Sequence, residues 1–396
     1  MRPRTSLLLG SLGILALLGC SGSDYSYRPT ARYLVNAIAV ADIDGNGRPD
    51  ILGLVSTDFG GVPTQGYVST RLQGPAGAFA LPTRFGVGAQ PANLVVADVN
   101  GDGRPDLVVA NAADQTVGVR LADPARPGFF LPAIVLATPG RTPLDVAVGD
   151  LNGDGKMDIV VAASGANNVM VFLQGATPGT FLAPVTFPVG GDPQAVTVAD
   201  LDGNGFADVA VATTANTVSV LLQTSAGVFA PAVYYPTGVQ PVAIRAADLN
   251  GDGKLDLLTA NYGASLSPGT QGLSVLIQGA TAGTFLPPVH YTTGYRSTAL
   301  AVGDLNGDGK LDVAVANAGL PGDPGSVAVF LQDPAIPGAL RAPTIYRGAW
   351  GPMGVAIGDM NGDGRPDLVL ADGDIVVRFN SATTPGTFGP PQFFYN

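Results

Sequence analysis

Asp98-Val99-Asn100-Gly101-Asp102-Gly103-Arg104-Pro105-Asp106 is one of seven copies of a nine-residue pattern, Asp-x-Asn/Asp-Gly-Asp/Asn-Gly-x-x-Asp. The copies begin at Asp42, Asp98, Asp150, Asp200, Asp248, Asp304 and Asp359, 48 to 56 residues apart. A regular interval of that size marks a repeat architecture in which each unit is one small group of elements.

The residue types within the pattern point to a hard cation. Calcium takes six to eight oxygens, and a tight loop supplies them by turning residues 1, 3 and 5 inward while the carbonyl of residue 7 and the carboxylate of residue 9 close the ring. The candidate ligands of the first copy are Asp42, Asp44, Asn46, the Arg48 carbonyl and Asp50; those of the second are Asp98, Asn100, Asp102, Arg104 and Asp106. The third copy offers Asp150, Asn152, Asp154, Lys156 and Asp158, and the fourth Asp200, Asp202, Asn204, Phe206 and Asp208. The fifth offers Asp248, Asn250, Asp252, Lys254 and Asp256, and the sixth Asp304, Asn306, Asp308, Lys310 and Asp312. In the seventh they are Asp359, Asn361, Asp363, Arg365 and Asp367. Gly101 and Gly103, with their counterparts, are placed for the positive φ that so sharp a turn needs.

A plain hairpin is the competing reading, since Asn-Gly and Asp-Gly favour two-residue turns without any metal. One copy does not separate the two. Seven copies do, because a turn has no use for three like charges a few ångströms apart. The chain has 31 acidic residues, all of them Asp, and three in each of seven loops places 21 of them in the pattern. An EF-hand is excluded by the missing Glu at position 12 and by flanking segments that read as strands.

Each loop lies between two apolar runs, such as Ala195 to Ala199 before and Asp158 to Ala162 after. A third run follows (Val169 to Gln174, Val218 to Gln223), then a Gly-x-Phe-x-Pro element that leads into a fourth. That element includes Phe79, Phe130, Phe181, Phe229, Phe285 and Phe388, with Leu340 replacing Phe in the sixth repeat. Short apolar runs broken by Gly and Pro exclude a helical reading. Four strands repeated seven times make an all-β fold, a seven-bladed β-propeller of four-stranded antiparallel blades.

The Phe-x-x-Pro elements and the Asp-x-Asn-Gly-Asp-Gly-x-x-Asp loops together resemble the FG-GAP/VCBS repeat of the integrin α-subunit head and of many bacterial surface proteins. The resemblance covers residues 31–396 and implies a propeller with calcium in the hairpin between the first two strands of a blade. Integrins carry such loops in only some blades, so integrin ligand recognition is not carried over. Phe393 to Asn396 reads as the outer strand of the seventh blade, with Tyr27 to Thr30 expected beside it.

Residues 1–19 read as a signal peptide: Arg2 and Arg4 precede an apolar stretch from Leu7 to Leu18. Leu17-Leu18-Gly19-Cys20 resembles a bacterial lipobox, and Cys20 is the chain's one cysteine. The expectation is cleavage before Cys20, lipidation there, and a tether over residues 20–30 that holds the protein on a membrane. An ordinary secretory signal or a buried helix is the alternative. Ser21 at the second mature position suits export to an outer membrane or cell surface.

Net charge is −11, and losing Arg2 and Arg4 makes it −13. Seven divalent ions would return it close to neutral, so the acidity does not imply a basic partner. No Lys/Arg cluster supports a nucleic-acid role. His290 is the one histidine and Glu is absent, which leaves little for catalysis; it reads as a strand surface residue. Inserts at Thr57 to Tyr67, Tyr262 to Gly272 and Ala318 to Gly325 lengthen three repeats after the second strand and are either idle loops or a binding surface. Trp350 reads as packing at the junction of blades six and seven, or as a platform for a sugar. The expected function is a calcium-binding, non-enzymatic adhesion, binding or scaffold module, monomeric, with a protein or glycan ligand. A lectin-like propeller and a polysaccharide-active enzyme are the alternatives.

Overall fold

The computed structural model describes residues 32–59, 62–63, 65–263, 271–320, 324–347 and 350–395. The leader, Cys20, the 20–30 tether and the Tyr27 to Thr30 segment lie outside them, as do parts of the three inserts. Seven large antiparallel sheets form among the described residues, each with its four main strands side by side in chain order, beside one two-stranded sheet of Gln223–Ser225 and Val228–Phe229. Blade two shows the plan, with strands Pro91–Ala97, Asp106–Asn111, Thr116–Arg120 and Ile134–Ala137. The blades span residues 32–89, 91–137, 142–188, 193–236, 241–292, 297–347 and 354–394.

The seven first strands touch one another in sequence and the last touches the first, so they line the axis of a closed ring. Seven apolar cores fill the seven junctions between neighbouring blades. Both faces of a blade are therefore covered, and in blades two to seven every residue of the second strand is buried. That double cover is why these strands read as unbroken apolar runs instead of alternating. Crowding at the axis selects small residues: a Cβ on Gly149 would lie 2.5 Å from Val198, and one on Gly358 would lie 2.6 Å from Val40.

The Phe of each Gly-x-Phe element pairs with the end of the third strand of its own blade and packs on the fourth strand of the blade before. Phe130 meets Phe85 edge to face, Phe229 meets Phe187, Phe285 meets Tyr235 and Phe388 meets Tyr346, at centroid separations of 5.1, 4.8, 5.3 and 5.6 Å. Phe79 and Phe394 make the same contact at 5.3 Å across the junction of blades one and seven. Gln392–Phe394 is the outer strand of blade seven, within two residues of the stretch from Phe393 that the sequence assigned to it. Among the described residues the ring thus closes by the contact used elsewhere around it, with blade one and blade seven each built from its own four strands.

Antiparallel order sends the loops between first and second strands to one face of the disc. The turns between second and third strands and the blade-to-blade connectors fall on the other. The described ends of the three inserts, which join second strands to third strands, lie on that second face. The first is less irregular than the sequence suggests, because the second strand of blade one continues to Phe59, an extra strand Val62–Pro63 pairs with it, and the third strand begins at Gln65.

Candidate metal centre

All seven nine-residue loops adopt one conformation. Both glycines are left-handed in every copy, with φ between +71° and +88°, where any other residue type is strained. The Oδ2 of residue 1 accepts the N–H of the second glycine at 2.7–2.8 Å in every loop. Residue 3 Oδ1 accepts the N–H of residue 5. Residue 5 Oδ1 accepts that of residue 7. This ladder of Asx turns folds the loop back on itself.

Oxygens left over from the ladder meet positive groups. Arg104, Lys156 and Arg365 at position 7 pair with the position-5 carboxylates Asp102, Asp154 and Asp363. The Lys156 ammonium holds the Asp154 carboxyl below the usual carboxylate range. In loops one and four, which carry Asp at position 3, the three carboxylates Asp42, Asp44 and Asp50, and Asp200, Asp202 and Asp208, converge within 4.8 Å. The donor set is all oxygen and hard, with neither His nor Cys, which fits calcium or magnesium rather than zinc.

The aspartate at position 9 has a structural task of its own. It is fully buried in all seven loops. Asp208, for example, accepts the N–H of Leu201 at 2.7 Å on Oδ2 and that of Gln223 at 2.6 Å on Oδ1. The other six repeat this pair of bonds. Burial, opposed in part by these backbone donors and reinforced by neighbouring loop carboxylates, pushes Asp50, Asp208, Asp256, Asp312 and Asp367 up to about 6. Asp106 and Asp158 move the same way.

Two supporting roles escaped the reading of the sequence. Residue 2 of each loop is Ile43, Val99, Leu151, Leu201, Leu249, Leu305 or Met360, always at most 5% exposed; it anchors the loop in the core, and its unvarying apolar character was the available signal. The second is an amide at the end of the third strand. Gln174 Nε2 donates to Val99 O in the preceding blade's loop and to Met157 O in its own, both at 2.7 Å, while its Oε1 accepts from Gly179 N. Gln278 joins Leu201 O and Leu255 O at 2.7 and 2.9 Å, Gln332 joins Leu249 O and Leu311 O, and Asn380 joins Leu305 O and Pro366 O. Gln73 reaches Asp359 O at 3.2 Å across the ring closure. Gln223 bonds Ala207 O in its own blade, and blade two has Ala122 at this position.

His290 is not a plain surface residue. It is half-buried, burial holds its pKa below the usual value, and its Nδ1 lies 3.0 Å from Ser274 Oγ. Ser274 is fully buried and its Oγ accepts from Asn261 Nδ2 at 2.8 Å and Gly238 N at 2.9 Å, so its proton is directed at His290. A hydroxyl with both lone pairs engaged and no exposure is built as a strut, not as a nucleophile. Trp350 sits at the junction of blades six and seven as expected, on the face away from the nine-residue loops, with 51% of its surface exposed. Tyr346 is committed to Phe388, whose N–H it accepts at 3.1 Å.

The model of the FG-GAP-like repeat matches residues 98–161, 150–211, 200–259 and 316–370, more than half of the chain, and that of the FG-GAP repeat matches 297–330. The chain belongs to the FG-GAP-like repeat family. No curated protein matches it. Among solved structures, this FG-GAP propeller is similar to a Bacteroides uniformis protein described as a 6-phosphogluconolactonase, with 14% identity, TM-score 0.59, and coverage of 92% of this chain and 96% of that one. A Lactobacillus plantarum protein matches with 16% identity and TM-score 0.56 over 81% of this chain and 86% of that one. BBS1N, solved in complex with ARL6DN, matches with 11% identity and TM-score 0.54 over 89% and 94%. At these identities the likeness is one of fold.

Proposed function

We propose that this FG-GAP protein is a calcium-stabilised binding or scaffold module, displayed on a bacterial envelope through a lipid on Cys20, with recognition on the face away from the metal loops. The observation that carries the reading is the division of the disc. One face holds seven loops of a single conformation with all-oxygen donor sets; on the other lie the strand ends from which the variable inserts of blades one, five and six depart. Uniform loops suit a shared structural task, and variable ones suit recognition.

Atomic emission on the dialysed full chain tests the metal: up to seven calcium ions per chain are expected, and none would refute it. Labelling with a radioactive fatty acid in a bacterial host tests the anchor, because Cys20→Ala should abolish incorporation. A lectin-like role is the second reading, favoured by the exposure of Trp350 on the insert face. A glycan array separates the two, since a protein-binding scaffold gives no signal there. Catalysis is disfavoured by the buried, saturated Ser274 beside the one histidine.

A further inference from the structure

We propose that the seven metal loops are coupled through the third-strand amides, and that they divide into a cooperative run of five and a separate pair. The inference rests on calcium occupying the loops, as proposed above. Gln174, Gln278, Gln332 and Asn380 each hold the position-2 carbonyl of the preceding loop and the position-8 carbonyl of their own with one NH2 group. In each case the backbone N–H of the same residue is bound to its own loop's buried position-9 aspartate. One residue therefore ties together the two ends of adjacent metal loops.

Ordering one loop around an ion fixes its position-2 carbonyl. That fixes the amide of the next blade, and with it the segment carrying the next loop's position-9 ligand. The second ion then binds a loop whose ordering cost is partly met, which is positive cooperativity without any large movement. Gln73 extends the link through the ring closure to loop one, where its N–H binds Asp50.

The chain of links is interrupted twice. Gln223 bonds its own blade's Ala207 O. Ala122 has no amide; there Gly128 N reaches Ile43 O at 3.2 Å, which joins loop one to the segment between the third and fourth strands of blade two and not to the position-8 carbonyl of loop two. The loops starting at Asp200, Asp248, Asp304, Asp359 and Asp42 are consequently linked in series, and those at Asp98 and Asp150 form a pair.

The test titrates calcium into the chelator-stripped full chain against a chromophoric chelator, with bound ions counted by atomic emission. The expected isotherm has a steep phase of five ions and a second phase of two. Gln332→Ala should flatten the steep phase and raise its half-saturating calcium by about five-fold, the lower end of ordinary coupling between sites. Gln223→Ala, which removes an amide confined to its own blade, should leave the steepness unchanged. Ala122→Gln supplies the missing link and should merge the phases into one of seven. Seven ions bound with isotherms indifferent to Gln332→Ala and Ala122→Gln would overturn the coupling alone. So would an equal loss of steepness in Gln223→Ala, which would trace the effect to local packing. Absence of bound calcium would overturn the coupling and the metal reading together.

Discussion

Chelation is the perturbation whose size follows most directly from the architecture. A ligand that binds only the folded state stabilises by RT ln(1 + [L]/Kd). Extracellular calcium modules have Kd near 10⁻⁴ M, so 1 mM calcium contributes about 1.4 kcal/mol per loop and about 10 kcal/mol over seven. Unfolding entropy is about 2.1 cal/mol/K per residue, or about 0.8 kcal/mol/K for a propeller of this length. The expected fall in Tm on adding chelator is therefore about 13 °C. One blade of about 50 residues with its single ion gives the same figure, because ion and entropy scale together. The prediction thus holds whether the ring melts as one unit or blade by blade. Differential scanning calorimetry of the same preparation in 1 mM calcium and in excess chelator measures it. A midpoint that moves by less than about 2 °C, the contribution of one loop shared over the whole ring, would refute structural calcium in all seven.

The pH dependence has a defined sign. The position-9 carboxyls that burial pushes up to about 6 bind protons more tightly folded than unfolded. Stability of the metal-free protein should then fall as pH rises from about 4 through 6. Calcium needs the same groups ionised, so the difference in Tm between calcium and chelator should grow over that window, and a pH-independent difference would contradict it. Phe394→Ala removes a half-buried ring from the junction of blades seven and one. It should cost about 2 kcal/mol, part of the usual loss for a buried Phe, seen as a shift of the chemical denaturation midpoint in calcium and chelator alike. Trp350→Ala should leave the melt within about 1 °C, as surface substitutions do, while abolishing any glycan signal; a retained signal would exclude Trp350 as the platform.

The seven loops, the order of strands and the outer strand at 392–394 were legible because each is written in a contiguous run with a strong local grammar. The loop glycines are an example: the turn demanded positive φ, and all fourteen have it. What was not legible depends on residues far apart in sequence. Gln174 and Val99 are 75 positions apart, and Gln73 and Asp359 are 286. Nothing in a single repeat says that its glutamine serves the blade before it. The partner of His290 was not legible for a related reason. A polar residue in an outer strand looks solvent-facing until its cross-strand neighbour, Ser274, is known to be buried and in need of an acceptor. The position-9 aspartates hid a second task because one carboxylate serves both the loop and the backbone behind it.

Ring closure by an ordinary junction bears on how such a chain can change. Each blade is one unbroken stretch of sequence from its axial strand to its outer strand, and the Phe79–Phe394 contact that joins the ends resembles the contacts at other junctions. The genetic unit and the folding unit therefore coincide. A duplication, a deletion or a new opening of the chain at any blade-to-blade connector cuts no strand out of its sheet. Among the described residues, what limits blade number is then how tightly the axial strands, with glycine at 149 and 358, can crowd around the centre.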